Sequence, residues 1–475
     1  MIAEVSLEDC KTAAKVELAK REYDRRNLAE LAKRLESFEY FAEYISQRFG
    51  KRDYKHYPFS RYLCNRFEEW SKTNRGRLKV NMPPRVGKTE NCIVLGILYV
   101  MCFVNRRASV GYVTYGSSLS KEKSEAIREI YREFVESDIG VYLNLAPISK
   151  TTAAKQHWAT TEGFEMQAAG LGGSWTGREF DFLFVDDPYK NHEEALSPTG
   201  RKKVWLYWQG SLGNRLAPNA KVLLIHTRWH EEDLTSKIEE TETFDSVVFS
   251  ALAKENDPLG RALDEPLLCR FTDVDKNYWQ VTKKSKTSFF WESQYQQAPG
   301  DFTGQYFGKI SIGPWSALAK VVAFLDTSFD GLDTTALAIG GRLSKDNYQV
   351  EGHTWPGNVT DCEDAIVVLI QARRIKTIVI EKNADHGAFA KQLRKRLKKD
   401  KISCIVVDET ERTNKHARIV THVYANQERI TYSEESDAEF MAQIKRYDEG
   451  VKPCDAPDAV AGLMRRLTKQ VRRFF

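Results

Sequence analysis

RLKVNMPPRVGKTENCIVLGILYVMCFV, residues 77 to 104, decides how the chain must be read. A short apolar strand runs into a Pro- and Gly-containing turn, and a second apolar run of helical length follows it directly. Gly87-Lys88-Thr89 matches the working end of a phosphate-binding loop. In such a loop the backbone N–H groups of Arg85, Val86 and Gly87 surround phosphate, Lys88 meets the β and γ phosphates, and Thr89 offers its oxygen to Mg2+. The first glycine of the usual pattern is absent, with Met82 in its place. An isolated GKT would equally fit a plain helix N-terminus, so the reading depends on what surrounds it.

Working outward, ASVGYVTYG, FDFLFVDDP and AKVLLIHTRW read as further apolar strands, separated by helix-like stretches such as SLSKEKSEAIREIYREFV. That alternation predicts a mostly parallel sheet covered by helices, with functional loops at the C-terminal ends of its strands. In FLFVDDP, Asp186 offers a carboxylate for Mg2+ opposite Thr89, and Asp187 could polarise an attacking water. The two acids also fit a strand end that caps the next turn, and Glu193 and Glu194 compete for the role of general base. Arg178, in GGSWTGREF, is suited to stabilising charge on a transferring phosphate or to simple surface exposure. Thr227 and Arg228, in HTRWHEEDL, stand where a strand end could sense nucleotide state; ordinary local hydrogen bonding fits them almost as well.

A different pattern begins after FFWESQYQQAPGDFTGQYFGKI, a segment without clear period that reads as a domain connection. VVAFLDTSFDG and TTALAIGG read as adjacent strands, TIVIEKN and CIVVDET as later strands, and VAGLMRRLTKQ as a terminal helix. Phosphodiester cleavage by two metal ions needs carboxylates converging on sites roughly 4 Å apart. Asp326 and Glu381 end apolar strands, and Asp458 opens the last apolar helix. As hard oxygen donors they favour Mg2+ or Mn2+. Asp333, Asp385, Asp408 and Asp455 compete for outer positions; Asp330 and Asp333 equally suit a hairpin turn. His386 sits in a polar loop where most histidines are not catalytic. The basic runs QLRKRLKKDK and RRLTKQVRR fit either phosphate backbones or a solvated helix face.

Composition sets outer bounds. With 475 residues, 42% hydrophobic and 29% charged, the chain has the size of two folded domains and no compositional sign of long disorder. Its formal charge of +5 permits an acidic polymer as partner without identifying one. Eight dispersed cysteines without a C-x-x-C pair suggest reduced thiols inside a cell and no structural zinc site. No secretory signal pattern stands at the N-terminus. The most apolar run, Cys92 to Val104, is shorter than the roughly 20 residues a membrane span needs. Leu7 to Phe49 shows helical amphipathicity fitting a lid, a docking surface or a cap.

Together PPRVGKTE, GGSWTGREFDFLFVDDP, HTRWHEEDL, QYQQAPGDFTGQYF, FLDTSFD, IEKNADHG and DAPDAVAGL resemble the large terminase subunit of tailed bacteriophages, over about residues 55 to 465. The resemblance implies an α/β chain: helices over 1–55, a P-loop ATPase motor domain over 56–285, a connection over 286–315 and a ribonuclease-H-like nuclease domain over 316–475. It implies ATP-driven translocation of double-stranded DNA into procapsids and cutting of concatemeric DNA. ATP would be substrate, with Mg2+ at the ATPase site and Mg2+ or Mn2+ at the nuclease site. Portal protein, small terminase subunit and a homo-oligomeric ring would be the partners, in host bacterial cytoplasm and transiently at the portal, without a membrane. Lys88 and Thr89 look like the phosphate and magnesium residues, Asp186 the Walker-B acid, Asp187 the catalytic acid, Arg178 an interface arginine, and Thr227 with Arg228 the coupling motif. Asp326, Glu381 and Asp458 look like the nuclease acids. A repair or defence helicase-nuclease, and a non-catalytic nucleic-acid-binding assembly protein, are the alternatives.

Overall fold

The computed structural model describes residues 7–50, 54–175, 177, 179–286, 288–300, 310–328, 334–382, 387–411, 413–447 and 453–469. Arg178, Asp330, Asp333, Asp385 and His386 lie outside them. The chain folds as two compact units. Met1–Lys190, Lys202–Thr282 and Ser293–Ala298 form the first; Asn191–Arg201, Lys283–Glu292 and Pro299–Phe475 form the second. The aromatic segment expected as a connection is thus divided: its first residues pack with the second unit and Ser293–Ala298 with the first.

In the first unit the strands are β1 (Arg77–Asn81), β2 (Ser109–Thr114), β3 (Ile148–Ala154), β4 (His157–Thr160), β5 (Glu165–Gly170), β6 (Phe180–Asp186), β7 (Leu216–His226) and β8 (Asp245–Val248). They make one sheet in the order β3-β4-β5-β2-β6-β7-β1-β8. From β5 to β8 every pairing is parallel, as the alternation of strand and helix requires. The antiparallel β3 and β4 extend it at one edge, through polar residues that gave no strand period. Parallel register brings Asn81 beside His226, and Asp186 beside Ile225, so the ends of β1, β6 and β7 share one edge.

Behind the turn after β1 the chain is helical from Glu90 to Val104, with π-type winding at both ends. Its residues from Asn91 to Cys102 are buried all round, as expected of a run without a polar face. The helix Phe38–Arg48 covers this core with Phe38, Phe41, Ala42 and Ile45, the three-and-four spacing read in the sequence. Phe38 meets the rings of Phe67 and Tyr99 at centroid distances of 4.6 and 4.9 Å, so this helix is a cap on the unit's aromatic core. No described helix is long and apolar enough to cross a membrane. All seven described cysteines are free thiols.

The second unit holds β9 (Ser311–Gly313), β10 (Val322–Asp326), β11 (Thr334–Arg342), β12 (Tyr348–Pro356), β13 (Thr377–Glu381), β14 (Ile405–Glu409) and β15 (Ile430–Ser433). Their order is β14-β13-β10-β11-β12-β15-β9. The antiparallel β10-β11-β12 meander is joined by parallel strands on both sides, β13 and β14 beside β10, and β15 and β9 beside β12. Alternating side chains feed two cores, one on each face: Val322 and Phe324 enter one, Ala323 and Leu325 the other.

The helix Asp455–Lys469 packs on β10 and β11 so closely that a Cβ on Gly462 would lie 2.5 Å from the Phe324 ring. Alanine would normally gain about 1 kcal/mol of helix propensity over glycine. Here Phe324 is 3% exposed and confined by its neighbours, so the clash outweighs that gain. Gly462→Ala is expected to destabilise the second unit by about 1–3 kcal/mol, read as a lowered midpoint in denaturant unfolding; unchanged or raised stability would contradict this packing.

Candidate functional site

In the first unit the turn after β1 is built around positive φ angles, +66° at Arg85 and +104° at Gly87. Gly87 supplies a conformation that side chains rarely adopt, and its carbonyl accepts a 2.9 Å hydrogen bond from Asn91 Nδ2. Arg85 is exposed at the turn and Val86 is buried under it. Lys88 is carried inward: its Nζ donates to Thr227 Oγ1 at 2.7 Å and lies 3.3 Å from Asp187 Oδ2. The Thr89 hydroxyl donates to Asp186 Oδ1 at 3.2 Å. Asp187, at φ +40°, also accepts the Thr227 backbone N–H at 3.2 Å. Five of the sequence candidates, on three different strand ends, therefore share one cluster.

Burial, and the carboxylate of Asp187 beside it, push the Asp186 carboxyl up to about 7 against the pull of Lys88. A cleft of about 460 Å³ opens on the cluster, lined among others by Tyr54, Tyr57, Arg85, Lys88, Thr89, Lys123, Asp187 and Arg270. Its donors, the turn's N–H groups, Lys88 and Thr89, suit an anionic phosphate chain, and Thr89 with Asp186 could hold a divalent ion against it. Arg228 turns away from Lys88: its Nε donates to Asp233 at 2.8 Å, an NH2 to Ser236 Oγ at 2.9 Å, and its backbone N–H to Gln297 at 3.0 Å. Glu193 and Glu194 lie in the helix His192–Leu196, which belongs to the second unit and contributes Leu196 to its core.

Sequence reasoning passed over three supports of this cluster. Tyr112 donates to Asp186 Oδ2 at 3.4 Å, Tyr54 donates to Asn91 Oδ1 at 2.5 Å, and Gln297 receives Arg228. The doubled glutamine of QYQQ was a visible signal: Gln296 brackets Leu252 with bonds of 3.0 and 3.1 Å.

In the second unit the parallel register pairs Leu325 with Ile380, which sets Asp326 and Glu381 side by side at the strand ends. Asp458, in the first turn of the last helix, completes a set in which one oxygen of each acid lies within 4.8 Å of the others. Lys415 reaches Asp326 at 3.3 Å, Asp455 at 2.7 Å and Asp458 at 3.4 Å. Arg418 holds Asp458 through Nε at 3.0 Å and approaches Glu381 at 3.4 Å. Burial is the largest influence on Asp326; with Asp458, Glu381 and Asp455 adding repulsion, it raises the carboxyl to about 8 although Lys415 opposes the shift. Burial likewise raises Glu381.

Glu381 Oε2 is buried without a hydrogen-bond partner, an acceptor left for something the protein does not supply. Three converging hard oxygens with such an orphan fit Mg2+ or Mn2+. Asp455 is instead engaged by Thr334, whose backbone N–H and hydroxyl donate to it at 3.1 and 2.8 Å, and by Lys415. Asp408 stands apart, tied to Lys382 and Arg394, which hold its carboxyl down at about 2. Lys415 and Arg418 were missed, yet NKHARIVTH shows the signal: an Asn414 cap and two cations three residues apart on one helical face.

In this seven-stranded mixed sheet two acids stand at neighbouring strand ends and a third opens the last helix, an arrangement that could hold a divalent cation. Residues 325–427 match the family model described as Terminase Bacteriophage T7, Ribonuclease H-like domain. Among solved structures, the large terminase of a thermophilic bacteriophage is 13% identical, covering 84% of this chain and 95% of its own, with a TM-score of 0.45. The bacteriophage HK97 large terminase is 12% identical over 86% of this chain and 95% of its own, with a TM-score of 0.36. The nuclease domain of the large terminase subunit of bacterial virus Sf6 is 13% identical over 32% of this chain and 90% of its own, with a TM-score of 0.24. No curated protein matches the chain. The chain thus joins an α/β unit to a terminase-type ribonuclease-H-like domain.

The raised carboxyl of Asp326 gives a signed expectation. A folded-state pKa above the unfolded value of about 3.9 favours the proton-bound form; the stability it brings is present at low pH and lost as pH rises through about 8. A divalent ion needs the ionised carboxylate, so it must displace that proton. Mn2+ affinity is therefore expected to rise up to about tenfold per pH unit between pH 6 and 8 and to level off above. Calorimetric titration in buffers of different ionisation enthalpy checks both affinity and proton release; affinity flat across that window would refute the linkage.

Proposed function

We propose that this chain is a viral DNA-packaging large terminase subunit, coupling ATP hydrolysis in the first unit to translocation of double-stranded DNA and cutting concatemeric DNA in the second. The observation that carries the reading is the presence of two separate carboxylate clusters at sheet edges, one facing a phosphate-type turn and the other a buried three-acid set. Portal protein, a small terminase subunit and a ring of like subunits are the partners this reading implies, in host cytoplasm and at the procapsid portal. The family match over residues 325–427 supports it.

In the ATPase, the N–H groups of Arg85, Val86 and Gly87 would cradle the phosphates, and Thr89 with Asp186 would hold Mg2+. Lys88 exchanges Asp187 for the β and γ phosphate oxygens. Released from the ammonium, Asp187 is the candidate acid held within the first unit that can accept a hydrogen bond from the attacking water. Thr227, bonded to both Lys88 and Asp187, passes the change to Arg228 and its partner Asp233. Arg178 retains its proposed role across a subunit interface.

In the nuclease, Asp326, Glu381 and Asp458 would hold Mg2+ or Mn2+, which when bound activates water and stabilises the leaving oxygen. Arg418 fixes the orientation of Asp458 and Glu381, and Lys415 balances the acids before the ion arrives. Lys415 is also placed to meet a scissile phosphate.

Paired substitutions test the division of labour. Lys88→Ala is expected to lower ATP turnover by about 10²-fold or more, the scale of losing one charge-stabilising donor, while metal-dependent cleavage that needs no ATP persists. Asp326→Asn is expected to cut cleavage by more than the roughly 10–100-fold that loss of an outer partner of a metal ligand costs, with ATPase retained. Parental ATP turnover by folded Lys88→Ala protein, or parental cleavage by folded Asp326→Asn protein, would defeat the respective assignment. Portal-dependent packaging separates a terminase from a repair motor.

A further inference from the structure

The helix Ala388–Lys399 buries Phe389, Ala390, Leu393 and Leu397 against the sheet of the second unit. Its outer side is unusual in charge. From Ala388 to Lys401 the sequence AFAKQLRKRLKKDK holds seven basic residues and one acid, more net positive charge than the +5 of the whole chain. Solvated helix faces normally mix signs, and like charges four residues apart weaken a helix. Here Lys391, Lys395 and Lys399 stand at that spacing, all exposed, with Lys398 beside them.

The neighbouring acids are already engaged. Arg394 holds Asp408, Arg396 holds Asp364 and Asp400, and Glu363 accepts a hydrogen bond from Gln392. No ion pair or hydrogen bond is made by the side chains of Lys391, Lys395, Lys398 or Lys399 among the described residues. A groove of about 620 Å³ runs beside three of these lysines and is lined also by Glu363, Gln392 and Arg396.

The position of the stripe gives it a direction. β13 ends at Glu381, in the metal-binding set, and the helix starts after Gly387; because β13 and β14 are parallel, the helix must run back from that edge of the sheet. Lys391 to Lys399 spans about 12 Å at 1.5 Å per residue. That is about three to four phosphate spacings on one strand of duplex DNA at roughly 3.4 Å each. Lysines act as point charges without base readout, which suits a surface that must accept any sequence.

We propose that Lys391, Lys395 and Lys399, with Lys398, form a backbone-binding track that seats duplex DNA leading away from the nuclease acids. The proposal rests on the nuclease reading of this unit. It is tested in the full chain with the triple variant Lys391→Gln, Lys395→Gln, Lys399→Gln, against a control carrying Lys345→Gln and Lys376→Gln, exposed lysines elsewhere in the same unit. Binding of a fluorescent duplex in Ca2+ is measured from 50 to 300 mM salt, with cleavage in Mn2+, ATP turnover without DNA, and thermal melting.

The triple variant is expected to bind at least about tenfold more weakly at 0.1 M salt, with the log–log salt slope shallower by about 2–3, near 0.9 for each phosphate no longer neutralised. Melting, DNA-free ATP turnover and Mn2+ affinity should match the parent, and the control should bind as the parent does. Parental affinity and slope in the triple variant, while the parent binds and cuts duplex, would overturn the track and leave the nuclease reading standing. Equal weakening in the control would overturn it too. A parent that neither binds nor cuts duplex in any divalent metal would overturn both readings.

Discussion

Bringing Asp326, Glu381, Asp455 and Asp458 into one buried place is the constraint on which the second unit depends. Four carboxylates withdrawn from water repel one another, and an unpaired buried charge is costly. The unit answers with one helix, Lys415–His422, whose first turn presents Lys415 and whose next presents Arg418. Between them these two cations touch all four acids. The compensation is incomplete, since Asp326 is still pushed toward its protonated form. A cluster left short of positive charge, with an acceptor on Glu381 unfilled, fits a cation better than a closed ion-pair network does. Removing Arg418 would take from buried Asp458 its two guanidinium contacts and leave Lys415, at 3.4 Å, as a cation still facing it, so stability and site geometry are bound up in the same residue.

Topology explains why these acids meet at all. β10 lies inside its sheet, antiparallel to β11 and parallel to β13, and both β10 and β13 end in an acid at the same side. The last helix then returns to pack on β10, with Gly462 allowing the approach that lets Asp458 reach the strand ends. In the first unit the same logic operates with different parts. The ends of β1, β6 and β7 are aligned by parallel pairing, and each is followed by a residue that turns into the cluster: the loop to Lys88, Asp187, and Thr227. Sites at the carboxyl ends of parallel strands are a general property of such sheets.

What was legible in the sequence was whatever a strong apolar period or a local motif carries. The strands ending in Asp186, Asp326 and Glu381, the buried helix after Thr89 and the amphipathic cap Phe38–Arg48 all announce themselves in this way. The edge strands β3 and β4 did not, because polar residues such as Thr151 and Thr152 give no alternation and the pairing that fixes them is tertiary. Lys415 and Arg418 were hidden for a similar reason: a basic helical face reads as solvated until the fold turns it toward acids. The allegiance of Glu193 and Glu194 was also illegible. They follow Asp187 closely in sequence, yet Leu196 anchors their helix in the second unit's core. Chain proximity is a poor guide where a chain changes units.

The paired aspartates at the end of β6 show how backbone geometry can substitute for side-chain length. Asp187 follows a buried strand residue and turns into the left-handed region at φ +40°, a conformation that Asp tolerates better than most residues. That turn brings its short carboxylate to 3.3 Å from the Lys88 ammonium and to the backbone N–H of Thr227. A glutamate could span the same gap from ordinary strand backbone, so the aspartate and the strained turn belong together. On the proposed reading the strain has a use. The Lys88 ammonium lies against one oxygen of the Asp187 carboxylate. On that reading, phosphate that draws the ammonium away frees this oxygen to accept a hydrogen bond from water. Thr227 touches both members of the pair, so on that reading the start of the segment after β7 stands where the exchange would be felt.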